Sequence, residues 1–172
     1  YNEGHRLSYV CDSFRGLPPG NKKLHAHEIG WDNTPYLEVD HLTVVQNFQK
    51  LSLLSSNVIF VKGFFNDTMP VLSKMVTEIA ILRLDGDMYE STIDVLYHLY
   101  DKISLNGYII IDDWQINHAD FPAKVACEDF FAVHNMKPTL FPIDSTSVYW
   151  QKTVDVKIEY WRYKQGNFTL KK

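Results

Sequence analysis

The chain has 172 residues, 45% apolar and 22% charged, with a net charge of −4. That length suits one domain with a real core, and a mildly acidic balance without a basic run argues against a nucleic-acid surface. The apolar runs are about a strand in length, too short to span a bilayer, and two cysteines, Cys11 and Cys127, are too few for a disulfide framework.

These features set the expectations of a cytoplasmic protein with no membrane or nucleic-acid partner, and they leave self-association open. No secretory signal pattern is visible. The Asn-X-Thr triplets at Asn66 and Asn167 are short enough to arise by chance. The first residue is Tyr1 and a strand begins within a few positions, so the chain reads as the later part of a longer protein.

In chain order, Leu7–Cys11 is a strand candidate running into Asp12, Ser13 and Phe14. Gly and Pro punctuate a loop over Arg15–Asn21, and Lys22–Pro35 stays irregular with His25, His27, Glu28 and Trp31. Loops of that length inside a domain tend to be functional or disordered. Pro35 opens a predicted helix with Leu37, Leu42, Val45, Phe48 and Leu51 at helical spacing. Asn57–Val61 is the next strand, followed by a loop from Lys62 to Thr68 and a short helix over Met69–Met75.

Ile79–Leu84 is a strand, and Tyr89–Ile103 an amphipathic helix with Ile93, Leu96, Tyr97, Tyr100 and Ile103 facing inward. After the turn signal Asn106-Gly107 comes the strand Ile109–Ile111, then Trp114–Pro122 leading into a helix over Ala123–Val133. Thr139–Ile143 and Val148–Gln151, separated by Asp144-Ser145-Thr146, read as an antiparallel pair. Val154–Tyr163 alternates as one more strand, and Gln165–Lys172 is a polar tail. Strands alternating with helices imply a mostly parallel sheet covered on both faces.

Two stretches carry the chemistry. Ile79–Leu84 ends in Asp85-Gly86-Asp87, and Ile109–Ile111 ends in Asp112-Asp113. Open α/β sheets bind ligands beyond the carboxyl ends of their strands. Parallel strands would gather these four acids around one crevice, where mutual repulsion raises their pKa values. A hard divalent cation with oxygen ligands, such as Mg²⁺, relieves that repulsion. The bland alternative for each acid alone is a helix cap or a solvated loop residue. For Asp12 it is a turn in which the side chain binds the backbone of Phe14.

The runs V-C-D-S-F-R-G-L-P, V-K-G-F-F-N-D-T-M-P, L-R-L-D-G-D-M-Y-E-S-T and G-Y-I-I-I-D-D-W resemble the macrocin O-methyltransferase family. Y-L-E-V-D-H-L-T-V-V-Q-N-F and S-V-Y-W-Q-K fit it as well, so the likeness runs in order from about Tyr9 to Lys152. The resemblance implies a Rossmann-like class I methyltransferase fold, its parallel sheet closed by a terminal antiparallel hairpin. It implies methyl transfer from S-adenosyl-L-methionine to a hydroxyl of a sugar or natural product, with Mg²⁺ bound. By position it makes Asp85, Asp112 and Asp113 the metal ligands and Asp87 the general base, with His118 a second catalytic candidate. Asp12, Ser13, Gly63, Phe64 and Asp85 form its cofactor-binding set, with Asp12 on the ribose hydroxyls and Phe64 or Phe65 as a stacking face. Arg83 and Glu90 read as structural, and Tyr89 as either.

That family places a strand and a glycine-rich loop ahead of the Asp12 strand. Here the expectation is one domain over 1–172 without them, an open sheet centre between the Asp12 and Ile79 strands, and a C-terminal extension over 153–172. Two other classes compete: a metal-dependent glycosyltransferase using Asp-X-Asp, and a truncated methyltransferase-like module that binds without catalysing.

Overall fold

The computed structural model describes residues 6–20, 34–115 and 121–165. Branched residues form two parallel ladders. In the first, β1 (Ser8–Asp12) pairs with β2 (Val58–Lys62), from Ser8 opposite Val58 to Asp12 opposite Lys62. In the second, β3 (Ile79–Leu84) pairs with β4 (Ile103–Ile111), placing Leu84 opposite Ile111. Two short antiparallel strands, β5 (Phe141–Pro142) and β6 (Val148–Gln151), extend the second sheet, whose order is β3-β4-β6-β5. Among the described residues no strand lies between β1 and β3.

Four longer helices fill the connections: α1 (His41–Lys50), α2 (Phe65–Met75), α3 (Tyr89–Leu99) and α4 (Pro122–Val133). The core lies where α3 and α4 cover one face of the second sheet. Leu84, Ile109, Ile111 and Trp150 from the strands pack with Leu96, Tyr97 and Phe130 from the helices. On the opposite face of that sheet Ile81 and Tyr108 are exposed. Burying the large side chains of one face stabilises the sheet and fixes where its strand ends point.

Four readings of the sequence need correction. The helix opening at Pro35 is a single 3-10 turn over Pro35–Leu37. The regular helix starts only at His41, because Asp40 accepts from the backbone of Leu42 and Thr43 at 2.9 and 3.1 Å and caps it there. Leu42 and Leu51, assigned to its apolar face, are exposed. The helix expected over Met69–Met75 begins at Phe65, with Phe64 extended at its cap position.

The helix expected to reach Ile103 ends at Leu99, and β4 begins at Ile103. Asn106-Gly107 is therefore a bulge within the strand rather than a turn before it. Asn106 has φ 65°, and a Cβ on Gly107 would lie 3.1 Å from the Ala80 carbonyl oxygen. The last alternating stretch is no strand: 153–159 is irregular, and α5 (Tyr160–Gln165) follows. Docking decides this segment, since Ile158 is buried in the core and the Glu159 amide donates to His134 Nε2 at 3.0 Å.

Candidate active site

Because β3 and β4 are parallel and finish together, their next residues meet. The ladder continues one rung past the strands, where the Asp112 amide donates to the Leu84 carbonyl at 3.0 Å. Asp85, Asp112 and Asp113 thereby come together, and one carboxylate oxygen from each lies within 4.8 Å of the others. The connection from β3 to α3 folds back tightly to bring in the fourth acid. The Met88 amide donates to the Gly86 carbonyl, and Asp87 between them takes φ 52°. A Cβ at Gly86 would lie close to Phe65 Cε2 at 3.2 Å and Ser91 Cβ at 3.1 Å, so the turn packs tightly against both side chains. A non-glycine residue held at positive φ is a cost that folds tolerate mainly at functional positions.

Burial and crowding set the electrostatics. Asp113 is buried, and its carboxyl is pushed up to about 8, first by burial and then by the charges of Asp87, Asp85 and Asp112. Asp87 is also raised, by burial and by Asp85, while its hydrogen bond with Asp113 pulls the other way. Beyond that bond of the Asp113 carboxyl with Asp87, Asp113 Oδ2 finds no hydrogen-bond partner among the described residues. A buried carboxylate oxygen left unmet is costly, and three converging oxygen donors suit a hard cation. On that observation the residues fit Mg²⁺.

Sequence reasoning treated Arg83 as structural and overlooked Ser147. Arg83 Nη1 lies 2.8 Å from Asp85 Oδ2 and Nη2 lies 2.7 Å from Asp112 Oδ1. The spacing carried a signal, since residues two apart on a strand share a face. Ser147 lies 3.5 Å from the same Asp112 Oδ1. The turn that carries Ser147 is built by Asp144, whose Oδ1 accepts from the amides of Thr146 and Ser147 at 2.9 and 2.7 Å. The Thr146 carbonyl in turn accepts from the Trp114 amide at 2.8 Å, pinning the segment that leaves Asp113.

The other predicted set is partly assembled. Asp12, Ser13, Phe64, Phe65, Asp85 and Gly86 line one crevice at the ends of β1 and β3. Asp12 Oδ1 accepts from the Phe14 amide at 2.6 Å, so the local-turn alternative is observed. Ser13 Oγ donates to the Gly16 carbonyl at 2.6 Å and accepts from the Arg15 amide at 3.0 Å. Gly63 does not line the crevice: it has φ 148°, and a Cβ there would lie 2.8 Å from Thr68 Cγ2. Its close approach is to α2. His118, and the loop histidines His25 and His27, lie outside the described residues.

A parallel α/β sheet closed by an antiparallel hairpin, with acids at adjacent strand ends and another acid across the crevice, has the architecture of the class I methyltransferases. Comparison bears this out. The family model for macrocin-O-methyltransferase (TylF) matches residues 1–152, and the chain belongs to that family. It is 37% identical over 155 residues to the demethyldecarbamoylnovobiocin O-methyltransferase of Streptomyces niveus, covering 86% of this chain and 56% of that protein. It is 34% identical over 151 residues to the 8-demethyl-8-(2,3-dimethoxy-alpha-L-rhamnosyl)-tetracenomycin-C 4'-O-methyltransferase of Streptomyces olivaceus, again covering 86% and 56%.

The solved structure of the O-methyltransferase NovP superposes with a TM-score of 0.78 at 36% identity, covering 87% of this chain and 61% of that one. The chain thus spans just over half the length of the curated relatives it matches. Family membership favours methyl transfer over the glycosyltransferase alternative.

Proposed function

We propose that this chain serves an S-adenosyl-L-methionine-dependent O-methyltransferase that works with Mg²⁺ on a hydroxyl of a sugar or a sugar-bearing natural product. The observation that carries the reading is the convergence of one carboxylate oxygen each from Asp85, Asp112 and Asp113 to within 4.8 Å of one another, with Asp113 buried and Asp87 beside them. Asp85 also lines the crevice of Asp12 and Phe64, so one of the metal ligands borders the cofactor candidates. The rhamnosyl group in the name of the Streptomyces olivaceus relative supports a sugar acceptor.

In this reading Asp85, Asp112 and Asp113 hold Mg²⁺, which supplies stabilisation of a developing alkoxide. Asp87, which stands among the same acids, takes the hydroxyl proton. Asp12 accepts from ribose hydroxyls, and Phe64 or Phe65 offers a face to the adenine. Fixed placement of donor and acceptor supplies much of the acceleration.

The test is methyl transfer from S-adenosyl-L-methionine to a rhamnoside, using a polypeptide that contains this chain, with and without EDTA and with Asp112→Asn. The reading expects product that EDTA removes and excess Mg²⁺ restores, and a large loss in the variant. Turnover indifferent to both would overturn it.

A further inference from the structure

We infer that Arg83 is a positioning residue of the carboxylate site, a two-armed clamp that aligns Asp85 and Asp112 for a divalent cation. The inference rests on the metal reading above and goes beyond it. Its first support is geometric. One guanidinium reaches across two strands, giving one nitrogen to Asp85 Oδ2 at 2.8 Å and the other to Asp112 Oδ1 at 2.7 Å. Each carboxylate keeps its second oxygen free of the clamp. At Asp112 the Ser147 hydroxyl also lies near Oδ1, at 3.5 Å, so both donors fall on one oxygen and leave Oδ2 to a ligand.

The second support is Asp113, more than nine-tenths buried, with an oxygen within 4.8 Å of the clamped pair and with Oδ2 lacking a partner among the described residues, a third donor that Arg83 does not reach. The third is energetic. The Arg83 side chain is 52% exposed, and ion pairs at that exposure contribute little to folding. Its effect should therefore appear in the alignment of the ligands. Outer partners of ligating carboxylates fix ligand orientation in this way. Lysine cannot substitute, because a point ammonium lacks the planar fork that spans two carboxylates.

Charge and positioning predict opposite signs. Coulomb repulsion alone makes removal of a cation beside the site tighten Mg²⁺ binding, whereas loss of the clamp weakens it. The experiment is calorimetric titration of Mg²⁺ into the full chain, comparing wild type with R83M and R83K. Both variants should bind about 10- to 100-fold more weakly. Their metal-free melting temperatures should stay within about 4 °C of wild type.

Unchanged or tighter binding in R83M overturns the clamp. If R83M does not fold, R83K decides by the same criterion. A wild-type chain that binds no Mg²⁺ overturns the metal reading and the clamp with it. Saturable wild-type binding that both variants share overturns the clamp alone.

Discussion

Asp113 and Asp94 are buried to nearly the same degree, and burial is the leading cause of the upward pKa shift in each. Their surroundings differ. Asp94, on α3, takes a hydrogen bond from the Tyr163 hydroxyl on α5, and the Tyr163 ring rests 5.3 Å from Tyr97 and 5.2 Å from His98. Asp113 stands among Asp85, Asp87 and Asp112 with Oδ2 unmet. One acid fastens α5 to the core; the other sits in the cluster that we propose holds the cation. Burial of a carboxylate therefore does not mark a site. An unmet atom among like charges does.

The sharpest way to break this contrast is to neutralise each acid in turn. Asp113→Asn should weaken Mg²⁺ binding by more than the roughly 100-fold that losing an outer partner can cost, and Asp94→Asn should leave it unchanged. In the absence of metal, Asp113→Asn should be at least as stable as wild type, because an amide removes carboxylate repulsion. Calorimetric titration and thermal melts give both readings. Equal loss of metal binding in the two variants would dissolve the distinction.

A pH series sharpens it. The Asp94 carboxyl is raised to about 6, first by burial, with the Tyr163 hydrogen bond pulling it down and Glu90 and Asp67 pushing it up. Because the folded value lies above the unfolded one, its contribution is fully present below about pH 4 and is lost as pH rises through about 6. Denaturant melts should show wild type losing about 3 kcal/mol relative to Asp94→Asn across that window. A constant gap would contradict the assignment.

Tyr163→Phe should cost about 2 kcal/mol by removing the hydroxyl that donates to the buried Asp94, and should not touch Mg²⁺ affinity. Ser13→Ala should have the smallest effect, about 1 kcal/mol from the loss of its contacts with Gly16 and Arg15. Metal affinity should again hold. A fall in affinity with either variant would mean that the site and the scaffold are not separable.

The acids were legible because Asp85 and Asp112 each end a branched apolar run, and parallel pairing makes such ends neighbours. The core face of α3 was legible for a similar reason: Ile93, Leu96 and Tyr97 keep helical spacing and are buried. The same spacing misled at Tyr100 and Ile103, which stay buried after the helix has ended, Ile103 as the first residue of β4. Val154–Tyr163 misled because its alternation is overridden by the seats that Ile158 and Tyr163 find in or against the core. Arg83 escaped notice as a partner of Asp112 because the two are 29 residues apart in sequence and meet only through the β3–β4 pairing. The turn of Asp12 onto Phe14 was legible as an alternative, whereas at Ser13 the sequence shows a polar side chain but not its contacts with Gly16 and Arg15.

The central claim is that Asp85, Asp112 and Asp113 share one ion, and anomalous diffraction from crystals soaked in Mn²⁺, a stand-in for Mg²⁺, tests it directly. The account predicts a single strong peak between the ends of β3 and β4, within about 2.0–2.3 Å of an oxygen from each of the three carboxylates. A peak touching only one of them, or no peak there at saturating Mn²⁺, would contradict it.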